Sequence, residues 1–162
     1  LERTDGSQTD FSFRSCIDAK AKPVAQEFSE ACRQAVAPYL RTAKHKHFKH
    51  NGDTFGRCTC EITGELITID QAAIDHKPPC TFEMIVRTFL TKEKIVPDES
   101  MLSINRDAQF TTVFADKARA KAFVEHHQCV SEGMLRVVDA RANSAAGPRH
   151  RIHNAKCPLN LE

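Results

Sequence analysis

Asp75 and His76 stand side by side in the run AAIDHKPPCTF, residues 72–82, and two prolines follow almost at once. An aspartate offers a hard oxygen to Mg²⁺ or a similar ion, and a neutral imidazole beside it can take a proton from water. Together they suit metal-assisted attack on a phosphodiester. Adjacent residues of a strand point to opposite sides, so one site can use both only where the backbone turns. Pro78 and Pro79 forbid regular pairing or helix directly after His76, and they predict such a turn. The plainer reading of the same residues is a turn held by an Asp–His hydrogen bond.

Cations lie on both sides of this pair. The stretch RTAKHKHFKH (41–50) holds Arg41, Lys44, Lys46 and Lys49 with His45, His47 and His50 and no acid. The stretch 136–156 holds Arg136, Arg141, Arg149, Arg151 and Lys156 against the single Asp139, and Lys77 adjoins His76. Although the net charge is only +2, two basic stretches flanking a more acidic middle point to a polyanionic partner. Solvated helix or loop faces are the alternative for either stretch alone.

The elements that must position these residues read as follows. Phe11, Phe13 and Ile17 alternate with polar residues and predict a strand over 9–17. From Pro23 onward Val24, Phe28, Ala31, Cys32, Ala35, Val36, Tyr39 and Leu40 recur at spacings of three and four, predicting an amphipathic helix that Pro38 kinks or shortens before the basic run. Strand-like runs at 58–63 and 66–69 flank Gly64-Glu65 as a hairpin, and Ala72 to His76 is a further extended segment. Thr81 is placed to cap a helix from Phe82 to Leu90 that buries Phe82, Ile85, Val86 and Phe89. Residues 91–115 read as irregular with one or two short strands. Asp116 is placed to cap a helix reaching His127, with Ala118, Ala122 and Phe123 inward. Leu135, Val137 and Val138 predict a strand, after which Gly147-Pro148 would stop any short helix.

A chain of 162 residues, 41% hydrophobic and 27% charged, has the length and balance of one globular unit. No apolar run approaches the roughly 18 residues of a membrane span, and no signal-peptide pattern opens the sequence. The abrupt start LERTDGSQTDFSF reads as the beginning of a fragment with an upstream region, and the closing Leu161-Glu162 as a cloning scar. Seven cysteines without a Cys-x-x-Cys are read as reduced thiols, hence a cytoplasmic chain. Cys58 and Cys60 would be same-face neighbours on a strand and could share zinc with two further ligands, but ordinary buried thiols are favoured.

With these residues in hand, CEITGELI and AIDHKPP followed by a helix, then HH and LRVV..R.N further on, resemble the HNH nucleases over residues 57–143. That resemblance implies an α+β fold built on a small ββα-metal core, with a long insertion between its paired strands and an N-terminal strand and helix at its flank. It divides the chain into an N-terminal segment packing on the core (1–56), the nuclease domain (57–156) and a tail (157–162). By the same resemblance Asp75 matches a metal ligand, His76 the general base and Asn143 the ligand on the last helix. His127 is the choice for the middle, orienting residue, with His126 and Asn105 as competitors. The sequence departs from many members in lacking a zinc-binding Cys-x-x-Cys.

The expected activity is hydrolysis of DNA phosphodiester bonds with one Mg²⁺ or Mn²⁺. Double-stranded DNA is the favoured substrate, the setting a bacterial cytoplasm and the role restriction or antiphage defence. Arg41, Lys44, Lys46, Lys49, Lys77, Arg136, Arg141, Arg149 and Arg151 are the expected phosphate contacts, and a homodimer would make double-strand cutting natural. Two other classes fit the composition: a nucleic-acid-binding module without catalysis, and an interaction domain stabilised by zinc on Cys58, Cys60 and nearby histidines such as His45, His47 and His50.

Overall fold

The computed structural model describes residues 22–104 and 111–146 of the chain. The expected strand at 9–17 lies outside them. Among the described residues, four α-helices and three two-stranded antiparallel sheets make an α+β fold.

Helix α1 spans Val24–Asn51 and does not stop near Pro38: it carries the whole basic run as its last turns. An internal proline removes a backbone hydrogen bond and costs about 3 kcal/mol. Packing on both sides of Pro38 offsets that loss. Phe28, Ala31, Cys32 and Val36 are buried in one core, while Phe48, three turns further on, is buried in a second. One continuous helix therefore spans two apolar clusters.

The second cluster contains the short hairpin of β1 (Cys58–Thr59) and β2 (Leu66–Ile67), with the turn glycine Gly64 at φ 75°. Both strands are shorter than the sequence suggests. β3 (Ala72–His76) pairs antiparallel with β6 (Leu135–Asp139) in a register that sets Asp75 opposite Arg136 and His76 opposite Leu135. Helix α4 (Ala140–Ala146) leaves β6 directly and packs against both strands. Val137 and Val138 are neighbours in β6 and both are buried, so this small sheet is covered on its two faces. Residues 77–134 are an insertion between the paired strands.

That insertion forms the first core together with α1. Helix α2 (Phe82–Lys92) begins as expected, its Thr81 hydroxyl accepting the Met84 N–H, and it buries Phe82, Ile85, Val86 and Phe89. β4 (Leu102–Ile104) and β5 (Thr112–Phe114) are the short strands anticipated within 91–115. Asp116 caps α3 (Lys117–Val130) through the Ala118 N–H. The inward face of α3 differs from the expected one: Phe123 is buried, but Ala118 and Ala122 are exposed. Ala120, Val124, His126 and His127 turn inward in their place. A stripe sought only among apolar residues misses a face on which histidines occupy buried positions.

This rotation makes a direct prediction. Phe123→Ala, at 0% exposure, is expected to lower unfolding free energy by about 3–5 kcal/mol in a urea titration. Ala122→Lys is expected to stay within about 0.5 kcal/mol. A large loss from Ala122→Lys would place that residue in the core and contradict the observed face.

Candidate functional site

β3 delivers Asp75 and His76 to different surroundings. The strand pairing continues through His76, and the Lys77 N–H still bonds to the Met134 carbonyl at 2.7 Å. The chain turns only at Pro78-Pro79, whose peptide bond is cis. The turn expected between or at the two residues thus falls after both. They leave opposite faces of the strand.

Asp75 faces Arg136 across the sheet. The guanidinium donates from Nε at 3.0 Å and Nη2 at 2.7 Å, and both bonds end on the same carboxylate oxygen, Oδ2. Oδ1 has no hydrogen bond among the described residues. His76 is buried and its Nε2 lies 2.9 Å from the Nε2 of His127, which reaches it from α3, 51 positions along the chain. Phe82 and Phe123 pack around His127, and Tyr39 from α1 meets it edge-on at 5.7 Å. The other ring nitrogen of His127, Nδ1, lies 3.5 Å from the Ser131 hydroxyl at the end of α3.

Two imidazole nitrogens 2.9 Å apart cannot both carry hydrogen, and the apolar surroundings disfavour a charge on either ring. Burial pushes the pKa of His76 down to about 4, with Asp75 opposing and the Arg33 guanidinium reinforcing the shift. Burial likewise pushes His127 down to about 4, with the neighbouring His76 and His126 adding to it. His126 is settled differently: its Nε2 bonds to the Ile85 carbonyl at 3.2 Å, which ties α3 to α2. Of the competitors for the middle position, then, His127 meets His76, His126 serves the core, and Asn105 lies outside the described residues. Asn143 sits half-buried within α4.

The expected phosphate-binding cations divide into four groups. Lys44 donates to the backbone carbonyls of Ile69 and Ala72, both at 3.1 Å, and so fastens α1 to the start of β3. Lys77 pairs with Glu61 at 2.9 Å and Arg136 with Asp75. Arg41, Lys46 and Lys49 stand exposed on α1, as does Arg141 on α4. Arg149 and Arg151 lie outside the described residues. Along α1 the spacings Arg41, His45, Lys49 and Lys46, His50 form two adjoining rows on the solvent face, at the helix end where cations are favoured.

A cleft of about 490 Å³ opens beside the His127 and Ser131 end of this arrangement, lined by Tyr39, Gln128, Ser131, Glu132, Gly133 and Leu135. Sequence reading did not select Tyr39 or Ser131. The available signals were slight: Ser131 lies one helical turn after His127, and Tyr39 is the chain's single tyrosine. Cys60 is occupied structurally, its sulfur accepting the N–H groups of Thr63 at 3.4 Å and Asp139 at 3.1 Å. Among the described residues no three His, Cys, Asp or Glu side chains converge on a metal-sized site.

Comparison of the chain with models of known protein families, with curated proteins and with solved structures returned no match.

The histidine pair makes the fold acid-sensitive. Folded-state pKa values of about 4 lie below the ordinary 6.5, so the unfolded chain binds more protons as pH falls through that interval. The pair's contribution is complete above pH 6.5 and is lost toward pH 4. His126, shifted the same way by burial, adds to it. Urea unfolding is expected to lose about 2–4 kcal/mol between pH 6.5 and 5, the order of two protons taken up on unfolding. A stability profile that is level across this range would contradict a neutral buried pair.

Proposed function

We propose that the chain is a divalent-metal-dependent endonuclease of the HNH kind, acting on DNA. The contact between His76 and His127 supports this reading most, because it joins the residue expected to be the base to the residue expected to orient it across a long insertion. The succession of β3, β6 and α4, with the helix packed on both strands, has the order of the ββα-metal unit.

One carboxylate with one side-chain amide would suit Mg²⁺ or Mn²⁺. These ions keep most of their waters and need only one or two carboxylates beside the substrate phosphate. Asp75 would hold the ion through Oδ1, since Arg136 occupies only Oδ2, and Asn143 on α4 would add an amide oxygen. Bound there, the ion supplies charge stabilisation to the transition state and the leaving 3′ oxygen. His76 would take the proton of the attacking water, which requires a phosphate placed at the strand end where Asp75 and His76, on opposite faces of β3, both reach it. The Nε2 of His76 is occupied by His127, so the proton must go to Nδ1. That requires His76 to donate through Nε2–H and His127 to accept, with the hydrogen of His127 on Nδ1 toward the Ser131 hydroxyl. His127 is a positioning residue in this scheme. The exposed cations of α1 bind backbone phosphates, giving salt-sensitive affinity without sequence information.

A second reading is favoured by the pairing of Asp75 with Arg136: a nucleic-acid-binding module in which both partners are structural. Incubation of supercoiled plasmid with Mg²⁺, Mn²⁺ or EDTA separates the two. Wild-type protein is expected to nick or linearise the plasmid only with metal, and His76→Ala to be slower by two or more orders of magnitude while retaining DNA binding. Salt-sensitive binding without cleavage under any of these conditions would leave the binding module. Equal loss of binding and cleavage in His76→Ala would remove the base assignment.

A further inference from the structure

Immediately after α1 the chain makes a closed loop, residues 52–57, whose only outward apolar group is Phe55. Asp53 clamps this loop. Its Oδ1 accepts the N–H of Phe55 at 2.9 Å and of Arg57 at 2.8 Å, while its Oδ2 accepts the Arg57 guanidinium from Nε at 3.0 Å and Nη2 at 2.9 Å. The backbone closes as well, with Asp53 N–H to the Arg57 carbonyl and Gly56 N–H to the Asp53 carbonyl, each at 2.9 Å. Gly56 takes φ 70°, and a Cβ placed on Gly52 would stand 2.5 Å from the Phe48 carbonyl and 3.6 Å from the Gly56 Cα. The loop is therefore folded back against the end of the helix. Two glycines and one carboxylate fix its shape.

What this fixed loop presents is an aromatic ring at 78% exposure. The Arg57 guanidinium lies 5.0 Å from the ring centroid, a cation–π arrangement. A phenyl ring held in water by a preorganised loop gains nothing from burial. Its setting is cationic: Lys46, Lys49 and His50 are exposed on the last turns of the helix that leads into the loop, and Arg57 follows. An apolar ring for stacking beside cations for phosphate is the pairing by which proteins hold unpaired nucleotides.

We propose that Phe55 is a stacking platform for an unpaired nucleobase of a DNA strand whose phosphates run along Lys46, Lys49 and His50. The inference rests on the nucleic-acid reading above and adds to it the form of substrate: DNA that exposes at least one unstacked base. Because Asp53 orders the loop beforehand, the ring meets the base without an ordering cost.

Fluorescence anisotropy in EDTA, with a labelled twelve-nucleotide oligothymidine, the same length of abasic strand and a blunt duplex, tests it. Phe55→Ala is expected to weaken oligothymidine binding roughly five- to a hundred-fold, the range of one base–aromatic stack. Phe55→Trp should restore it, and the salt slope should not change, since no phosphate contact is lost. The abasic strand should bind wild type weakly and be indifferent to Phe55→Ala. A melting temperature equal to that of wild type confirms that Phe55→Ala is folded. If wild type binds oligothymidine and Phe55→Ala binds it equally well, the stacking role is wrong while the nucleic-acid reading stands. If wild type binds none of the three probes at low salt, both readings fall together.

Discussion

The 2.9 Å contact between His76 and His127 is the constraint on which the rest of this structure turns. It fastens the end of β3 to α3, the last helix of the insertion, and so fixes how residues 77–134 sit on the paired strands. It is also a polar contact inside an apolar shell of Phe82, Phe123 and Tyr39. A buried donor or acceptor left unpaired costs about 1–3 kcal/mol. Each ring therefore holds the other in place, and burial keeps both neutral near pH 7.

Charge is distributed around this pair according to what each cation can reach. Arg136 is opposite Asp75 by strand register and takes one of its oxygens; Lys44 is turned inward by the helix and bonds to carbonyls of the β3 approach. What remains on the surface of α1 is a face of two short rows, continuous with the Asp53-clamped loop. α1 links the two halves mechanically as well, since it contributes Val36 to one core and Phe48 to the other. The basic end of the helix is thus held by the same packing that carries it past Pro38.

The sequence was most legible where the determinants are local. Thr81 and Asp116 cap the helices that their side chains predict, and the extended character of 72–76 and 135–139 follows from residues within those runs. The pairing of those two strands, implied only by resemblance, is observed. Less legible were features set by distant partners. The helix past Pro38 depends on Phe48 finding a cluster made by residues 58–138, and the inward face of α3 depends on His76 lying opposite His127. The position of the turn after His76 follows from the β6 register, which holds the strand together one residue longer than prolines at 78 and 79 suggest. The ion pair of Asp75 with Arg136 likewise belongs to cross-strand register, which no local pattern encodes. His127 was selected over His126 for its place before the second strand, and packing separates the two for a different reason: only one of them faces β3.

A two-bond ¹⁵N–¹H correlation spectrum of the histidine rings at pH 6 tests the central claim most directly, because it reads which nitrogen carries hydrogen in each ring. The expected spectrum shows both rings neutral and of opposite tautomer, with His76 protonated at Nε2 and bare at Nδ1, and His127 protonated at Nδ1. Protonation of His76 at Nδ1 and of His127 at Nε2 would keep the contact and leave His76 no nitrogen to accept a proton, contradicting its assignment as the base. A charged ring on either residue at this pH would contradict the buried neutral pair itself.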